Sequence, residues 1–228
     1  MKNLCIIPAR GGSKRIPRKN IKPFMGKPIM AYSIEAALKS GLFDEVMVST
    51  DDEEFAEVAR QYGASVPFLR SEKTSNDYAT TIDVLQEVVD MYKQQGEEFD
   101  LLCCLYSTAP FVTSERLKEA YDFINEDVDA CFTMVQYSYP VQRGLRINSL
   151  GYTEMTHPEH FASRSQDLEK IYHDAGQFYF VKVESFLKEK AVWCKRTKSL
   201  VLSELEVQDL DTEVDWKLAE MKFELINK

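Results

Sequence analysis

The sequence lacks the features that mark membrane and secreted proteins. No apolar run approaches the length of about 20 residues that a bilayer-spanning helix needs, and the first apolar run ends at Pro8, too early for the core of a signal peptide. The five cysteines form no Cys-x-x-Cys pair and are odd in number, so neither a disulfide framework nor a zinc cluster is predicted. We therefore expect a cytoplasmic protein with buried free thiols and no membrane partner.

Acidic residues are missing from residues 1–34, although the whole chain holds 37 Asp and Glu against 28 Lys and Arg. Residues 1–27 alone hold 8 of those 28 cations. The net charge of −9, with positive charge confined to one segment, argues against nucleic acid as a partner, because nucleic acid usually needs a broad basic surface. The local surplus instead predicts a site for a small polyanion.

The surplus is concentrated in residues 10–20, where Gly11 and Gly12 follow a short apolar run. Glycine lets the backbone approach a ligand, free N–H groups bind phosphate oxygens, and cations neutralise their charge. The loop is not a Walker A motif, because Gly12-Ser13-Lys14 lacks the first glycine and the Lys-Ser/Thr order, and no Gly-x-Gly fingerprint occurs. A merely solvated basic loop is the alternative interpretation.

Apolar periodicity predicts an α/β fold. Apolar runs at residues 4–7 and 101–106 are typical of strands buried on both faces of a parallel sheet. Residues 45–50 are predicted as another strand and residues 66–69 as a short one. Helical patterns lie between these runs, one of them over residues 79–95. This alternation predicts βαβ units, with a parallel sheet covered by helices on both faces.

The second half of the chain is less regular. Residues 139–172 interrupt the pattern with a probable hairpin, an excursion of the kind that carries substrate contacts or a subunit interface. The spacing of Thr212 and Asp215 fits a capping box, so a last helix is predicted to run to about residue 226. Further strands are predicted at residues 130–136, 177–183 and 199–202. We expect residues 1–228 to form a single domain.

Two carboxylates in Asp209-Leu210-Asp211 form a second candidate feature. On an extended backbone, side chains two residues apart project to the same side, so both can approach one hard cation. Mg²⁺ typically binds one or two carboxylates and completes its shell with phosphate and water oxygens. Alone, the pattern also fits a helix N-cap at Asp211. Beside a phosphate-binding loop, a magnesium site is the better prediction.

Ligands of open parallel sheets bind beyond the carboxyl ends of the strands, so the basic loop is predicted on the ligand side. His157 and His160 lack a third ligand at zinc spacing and are predicted to lie in a surface loop. His173-Asp174 beside Gly176 precedes a strand and is placed to face the ligand edge. No nucleophile elbow occurs, so no covalent enzyme intermediate is expected.

Residues 7–20 (IPARGGSKRIPRKN) resemble the signature of the CMP-sialic acid synthetases, which are the acylneuraminate cytidylyltransferases. The resemblance covers nearly the whole chain and continues through Val48-Ser49-Thr50-Asp51, Arg70, Asp77, Pro110 and Asp209-Leu210-Asp211-Thr212-Glu213. It implies a three-layer, mostly parallel, Rossmann-like nucleotidyltransferase sheet with a small excursion for substrate binding or dimerisation.

The sequence resembles one branch of this family more than the others. Residues 106–110 (YSTAP) stand where sialic acid synthetases tend to have Gln-Pro-Thr-Ser-Pro, and residues 173–179 (HDAGQFY) replace their Asn-Gly-Ala-Ile-Tyr pattern. With residues 164–169 (RSQDLE), these segments are similar to the pseudaminic acid cytidylyltransferases. They lie where the sugar is expected, whereas the nucleotide half follows the family pattern.

The resemblance implies a Mg²⁺-dependent enzyme in which the anomeric hydroxyl of a nine-carbon acidic sugar attacks the α-phosphate of CTP and pyrophosphate leaves. The implied catalytic residues are Arg10, Lys14, Lys19 and Asp211, and the implied metal ligands are Asp209 and Asp211. The implied substrate-binding residues are Gly11, Gly12, Ser13, Asn20, Arg70, Asp77, Ala79, Thr81, Tyr106, Ser107, Arg143, Arg164 and Gln177.

Within that set, Arg70, Ala79 and Thr81 match the cytosine pocket of the family, and Arg143 or Arg164 is a candidate partner for the sugar carboxylate. The resemblance also implies a homodimer formed through residues 139–172. Three alternatives stay open from the sequence: CMP transfer to N-acetylneuraminic or another ulosonic acid, nucleotidyl transfer to a sugar or polyol phosphate, and a nucleotide-binding module without turnover.

Overall fold

The computed structural model describes residues 1–13 and 15–227, so the predicted role of Lys14 lies outside the described residues. In chain order the strands are β1 (Asn3–Pro8), β2 (Pro23–Phe24), β3 (Lys27–Pro28), β4 (Glu45–Ser49), β5 (Leu101–Leu105), β6 (Ala130–Gln136), β7 (Leu145–Ile147), β8 (Thr153–Met155), β9 (Tyr172–Lys182) and β10 (Thr197–Leu202). The α-helices are α1 (Ile29–Ser40), α2 (Glu53–Gln61), α3 (Glu72–Ser75), α4 (Thr81–Gln94), α5 (Ser114–Tyr121), α6 (Val183–Glu189) and α7 (Glu213–Ile226).

Six strands form one sheet in the order β10-β6-β9-β5-β1-β4. β1 pairs in parallel with β4 and with β5, and β6 pairs in parallel with β10. β9 runs antiparallel between β5 and β6 and joins the two parallel groups. The predicted α/β fold with a mostly parallel sheet is confirmed.

Helices cover both faces of this sheet because successive strand residues point to opposite sides. On β1, Cys5 and Ile7 belong to a buried cluster with residues of α1, α2 and α5. Leu4 and Ile6 belong to a second cluster, which includes residues of α4 and α6. The sheet is therefore the middle of three layers, and its apolar strands read as continuous runs because both faces are buried.

Four of the five cysteines lie inside these strands, as predicted. Cys5, Cys103, Cys104 and Cys131 are buried free thiols. Burial raises the pKa of Cys131 to about 12, so this thiol stays protonated and unreactive at neutral pH.

The predicted strand at residues 66–69 is wrong. Ser65 forms only an isolated bridge with Met47, and no strand follows it. Pro67 lacks the N–H that a ladder position needs, which removes the pairing that the apolar pattern suggested. The predicted helix over residues 79–95 is confirmed but starts at Thr81, because Thr80 and Asp83 close a capping box.

The last helix carries the acidic pair to the basic loop. The capping box of Thr212 and Asp215 begins α7 as predicted. Trp216 of α7 meets Phe24 of β2 edge to face, with ring centroids 5.6 Å apart. Leu210 packs into the same buried cluster, which also contains Ile16 of the basic loop. This packing sets the two chain ends side by side.

Residues 139–172 leave the sheet between β6 and β9. They contain the predicted hairpin, in which β7 and β8 pair antiparallel. Among the residues that the structure describes, no helix combines the length and apolar character needed to cross a membrane.

Candidate active site

The basic loop leaves the carboxyl end of β1 and is anchored by Asn20, which is only 6% exposed. The Asn20 side-chain amide donates to the Arg10 carbonyl at 3.0 Å, and its Oδ1 accepts from the Ser107 hydroxyl at 2.9 Å. The same hydroxyl lies 2.9 Å from the Pro8 carbonyl. Because Ser107 follows β5, these bonds tie two loops together at one edge of the sheet. Hydrogen bonds at its base therefore fix the path of the basic loop.

The acidic pair approaches this loop through Lys19. The Lys19 Nζ donates to the Leu210 carbonyl at 2.6 Å. Burial lowers the pKa of Lys19, while the carboxylates of Asp211 and Asp209 act in the opposite direction. The Arg15 guanidinium lies 2.6 Å from Asp211 Oδ1. Residues almost 200 positions apart in the chain thus combine two cations with two carboxylates.

A cavity of about 530 Å³ opens beside these groups, and we call it the basic cavity. Its lining includes most of the predicted nucleotide-binding residues together with five residues to which the sequence assigned no role. The lining residues are Pro8, Arg10, Ser13, Arg15, Lys19, Asn20, Arg70, Asp77, Ala79, Thr80, Thr81, Val84, Tyr106, Ser107 and Thr108.

Arg70 lies at the floor of the basic cavity with only 9% of its surface exposed. Its Nη2 donates to the Ser49 carbonyl at 2.7 Å, and its Nε donates to the Ser49 hydroxyl at 3.2 Å. Burial lowers the pKa of Arg70, but a guanidinium stays charged at any physiological pH. Arg70 therefore offers a fixed cationic donor next to Ala79 and Thr81, the three residues predicted for the cytosine.

Two residues that line the basic cavity, Arg10 and Asp77, form an ion pair in this structure. Arg10 Nη1 donates to Asp77 Oδ1 at 3.0 Å and to the Asn76 carbonyl at 3.1 Å. The side chains of Arg10 and Asp77 are 39% and 45% exposed, so the pair is weak enough to open for a phosphate group.

Two of the loop N–H groups expected to meet phosphate have other partners in this structure. The Gly11 N–H donates to Asp51 Oδ1 at 2.9 Å, and the Ser13 N–H donates to the Gly11 carbonyl at 3.1 Å. Gly11 approaches α2 so closely that a Cβ there would lie 3.0 Å from Asp52 Oδ2. At Gly11 the glycine thus serves the packing of the loop against the start of α2.

A second cavity of about 480 Å³ adjoins the basic cavity, and we call it the adjoining cavity. Tyr106 and Thr108 line both cavities and form the wall between them. The remaining lining residues are Val135, Gln136, Ser138, His173, Asp174, Ala175, Gly176, Glu204, Val207, Gln208, Asp209 and Lys222. Asp209 thus belongs to the adjoining cavity, whereas Arg15, the partner of Asp211, lines the basic one.

The predicted substrate-binding residues Gln177, Arg143 and Arg164 line neither cavity. Gln177 is 5% exposed and donates its amide to the Glu206 carbonyl, so it supports the segment that leads to Asp209. Arg143 donates to the Ser165 hydroxyl at 3.2 Å, and Arg164 pairs with Asp167 at 2.7 Å, both within the excursion. The role of Arg143 or Arg164 in binding the sugar carboxylate, and of Gln177 in binding substrate, stays a prediction.

Several lining residues were missed by the sequence reasoning. Arg15 lies in the basic loop and was counted among its cations, so charge alone could have suggested it. Thr108 follows β5 beside Tyr106 and could have been found from the sheet-edge rule. Asp174 was noted for its position before a strand but received no role. Lys222 gave no sequence signal, because it lies in the middle of an amphipathic helix.

The acidic pair has the donor chemistry of a magnesium site. Asp209 and Asp211 flank Leu210, which is 1% exposed, and both carboxylates act on the same Lys19 ammonium. No cluster of three or more His, Cys, Asp or Glu suited to a metal occurs within residues 1–13 and 15–227. Two carboxylates nevertheless fit Mg²⁺, which completes its shell with phosphate and water oxygens.

A mostly parallel sheet with a cationic cavity at its carboxyl edge is typical of α/β proteins that bind an anionic ligand at that edge. The family model described as cytidylyltransferase matches residues 4–223, and this chain belongs to that family.

Its relatives cover the chain almost completely. The chain is 46% identical over 226 residues to the pseudaminic acid cytidylyltransferase of Campylobacter jejuni, covering 99% of this chain and 97% of that protein. It is 37% identical over 235 residues to the CMP-N,N'-diacetyllegionaminic acid synthase of Legionella pneumophila, with the same coverage of 99% and 97%. The fold matches a solved CMP:2-keto-3-deoxy-manno-octonic acid synthetase complexed with CTP, at a TM-score of 0.68 and 18% identity over 100% of this chain and 99% of that one.

Proposed function

We propose that this cytidylyltransferase transfers CMP from CTP to the anomeric hydroxyl of a nine-carbon acidic sugar, with pseudaminic acid as the first candidate. The observation that carries the proposal is the common wall of the two cavities. Because Tyr106 and Thr108 line both, a nucleotide in one and a sugar in the other would meet at this wall. The relative named for pseudaminic acid, 46% identical along nearly its full length, supports the choice of sugar.

The reaction requires positioning and charge neutralisation more than covalent chemistry. The sugar oxygen forms a bond to the α-phosphorus, the bond to pyrophosphate breaks, and the hydroxyl proton is lost. In this proposal Arg10 and Arg15 neutralise the triphosphate and Arg70 binds the base; their common position in the lining of the basic cavity supports these roles. Lys19 is held at the junction with the acidic pair and can meet the developing charge.

Asp209 and Asp211 would hold Mg²⁺ in this proposal. When bound, the ion would polarise the phosphates and offset the charge of the leaving pyrophosphate. Within the protein, the Arg15 guanidinium neutralises Asp211 before ligand binds. A triphosphate in the basic cavity would replace Asp211 as the ionic partner of Arg15. The Asp211 carboxylate would then be available to bind Mg²⁺.

The proposal includes a homodimer formed by the excursion. The hairpin exposes Leu145 at 66% and Ile147 at 76%, and the following turn exposes Phe161 at 77%. Contiguous exposed apolar side chains are typical of interaction sites. A second copy covering this surface could also bring Arg143 or Arg164 toward a sugar site. Sedimentation velocity should give a dimer, and Ile147→Asp should shift it toward monomer.

The proposed function is tested by pyrophosphate release with CTP and Mg²⁺ across a panel of acidic sugars. We expect the highest kcat/KM with pseudaminic acid, and lower values with legionaminic and N-acetylneuraminic acids. Release only with another sugar would overturn the choice of substrate. No release with any sugar, while CTP binds, would instead favour a nucleotide-binding module. The cytoplasmic location expected from the sequence stays a prediction.

A further inference from the structure

Asp174 lies in the adjoining cavity on the side formed by β9, and the proposed chemistry gives it no role. It is surrounded there by polar side chains, including Gln136, Ser138 and His173. A carboxylate is unexpected in a cavity proposed to bind an anionic sugar, because like charges repel in a partly desolvated site. The local backbone shows how this carboxylate is held.

A bulge in β9 brings Asp174 next to Tyr179. Tyr179 pairs with Phe132 of β6, and Asp174 pairs with Met134 of β6. The two β9 residues are therefore five positions apart in sequence, whereas their β6 partners are only two positions apart. In a regular strand, residues five apart are separated by about 16 Å. Gly176 takes a left-handed φ of 63° within the bulge, a conformation that favours glycine. The chain thereby folds back on itself.

Two donors fix the carboxylate from behind. The Tyr179 hydroxyl donates to Asp174 Oδ2 at 2.8 Å, and the Gly176 N–H donates to Asp174 Oδ1 at 2.8 Å. Tyr179 is 5% exposed, and burial raises its pKa, so its hydroxyl remains a donor. Each carboxylate oxygen can accept a second hydrogen bond. Asp174 therefore faces the cavity as a preorganised acceptor.

The same arrangement connects Asp174 to the wall between the cavities. The Tyr179 ring packs on Tyr106, with centroids 5.6 Å apart, and the Tyr106 hydroxyl lies 3.5 Å from the Thr81 hydroxyl of the basic cavity. A shift of Tyr179 would therefore move the wall against which both ligands rest. Asp174 is fixed relative to the nucleotide position as well as to its own cavity.

Resting on the proposed function, we propose that Asp174 is a specificity-determining residue that accepts a hydrogen bond from a hydroxyl or acylamino N–H of the sugar. Its negative charge also keeps the sugar carboxylate away from this side of the cavity. Attraction for donors and repulsion of the carboxylate together select one orientation of the sugar ring. That orientation turns the anomeric hydroxyl toward the wall formed by Tyr106.

The test is steady-state kinetics of Asp174→Asn with pyrophosphate release as the readout. Asparagine keeps the size of the side chain but loses its charge and one acceptor oxygen. We expect the KM for the sugar to rise about ten- to hundredfold, the range for losing a hydrogen bond to a charged group, with an unchanged KM for CTP. Tyr179→Phe loosens the carboxylate and should raise the sugar KM by about two- to tenfold.

Asp90→Asn is the matched control, because Asp90 lies exposed on α4 and accepts a hydrogen bond from Gln86, one helical turn away, at 2.9 Å. An unchanged sugar KM in D174N, or an equal rise in both KM values, would overturn the inference. If D174N does not fold, the sugar KM of Y179F decides the question in the same way. A wild-type protein inactive with every acidic sugar would refute the proposed function itself, which is a separate outcome.

Discussion

Replacing Asn20 by Asp tests how the basic loop is held. The substitution keeps the shape of the side chain and the acceptor for Ser107, but it turns the donor facing the Arg10 carbonyl into an acceptor. Asn20 is 6% exposed, so solvent cannot restore the lost bond. A buried carbonyl left without its donor costs about 1–3 kcal/mol, and the free energy of unfolding should fall by that amount.

The new charge should affect the nucleotide more than the fold. At an effective dielectric constant of about 20, two unit charges about 8 Å apart repel by about 2 kcal/mol. For a single phosphate charge this corresponds to a rise of about thirtyfold in the KM for CTP. Asn20→Ala lacks the charge and should show the loss of stability with a smaller effect on KM.

Pyrophosphate release at varied CTP concentrations, together with urea unfolding, measures both effects. Asn125→Asp is the matched control, because Asn125 is exposed and its Oδ1 already accepts from the Asp127 N–H at 2.9 Å. An unchanged KM for CTP in N20D would show that the basic loop does not hold the phosphates close to Asn20.

Three further predictions concern the acidic pair, the packing of Gly11 and the ion pair of Asp129 with Arg196. Asp211→Asn should abolish turnover by loss of a metal ligand while circular dichroism stays native; full activity at saturating Mg²⁺ would contradict the metal assignment. Gly11→Ala should lower the free energy of unfolding by about 1–3 kcal/mol through overpacking, because its Cβ would lie 3.0 Å from the capping carboxylate of Asp52. In chemical denaturation, equal stability of G11A and the wild type would refute this packing argument. Asp129 accepts from Arg196 at 2.7 and 2.8 Å, which holds its pKa below the ordinary value. Asp129→Asn should therefore cost about 1.5–3 kcal/mol at pH 7, and this difference should vanish as the pH falls from about 3.9 through the lower folded pKa. A pH-independent difference in urea unfolding would contradict that assignment.

Local patterns in the sequence determined the fold class because each reports on its own neighbourhood. Short strand-like patterns predicted β1, β4 and β5, and the capping spacing of Thr212 and Asp215 predicted the start of α7. The strand predicted at residues 66–69 does not form, since apolar content alone cannot outweigh the missing N–H of Pro67. The family resemblance added the nucleotide half of the site, most of which lines one cavity.

How distant segments meet depends on long-range packing. The insertion of β9 between two parallel groups depends on which strand edges are left to pair, and no local pattern encodes that choice. The contact of Lys19 with Leu210 depends on the packing of Trp216 against Phe24.

The basic loop is an example of a local sequence pattern, and Asp174 is an example of a position set by long-range packing. The concentration of positive charge on the glycine-bearing loop of residues 10–20 is visible in the sequence, because charge and glycine content are local properties. Only the structure could show Asp174 as a fixed acceptor, because its position depends on a bulge and on a hydroxyl five residues away. Long-range packing, rather than residue type, turns that aspartate into a candidate for sugar selection.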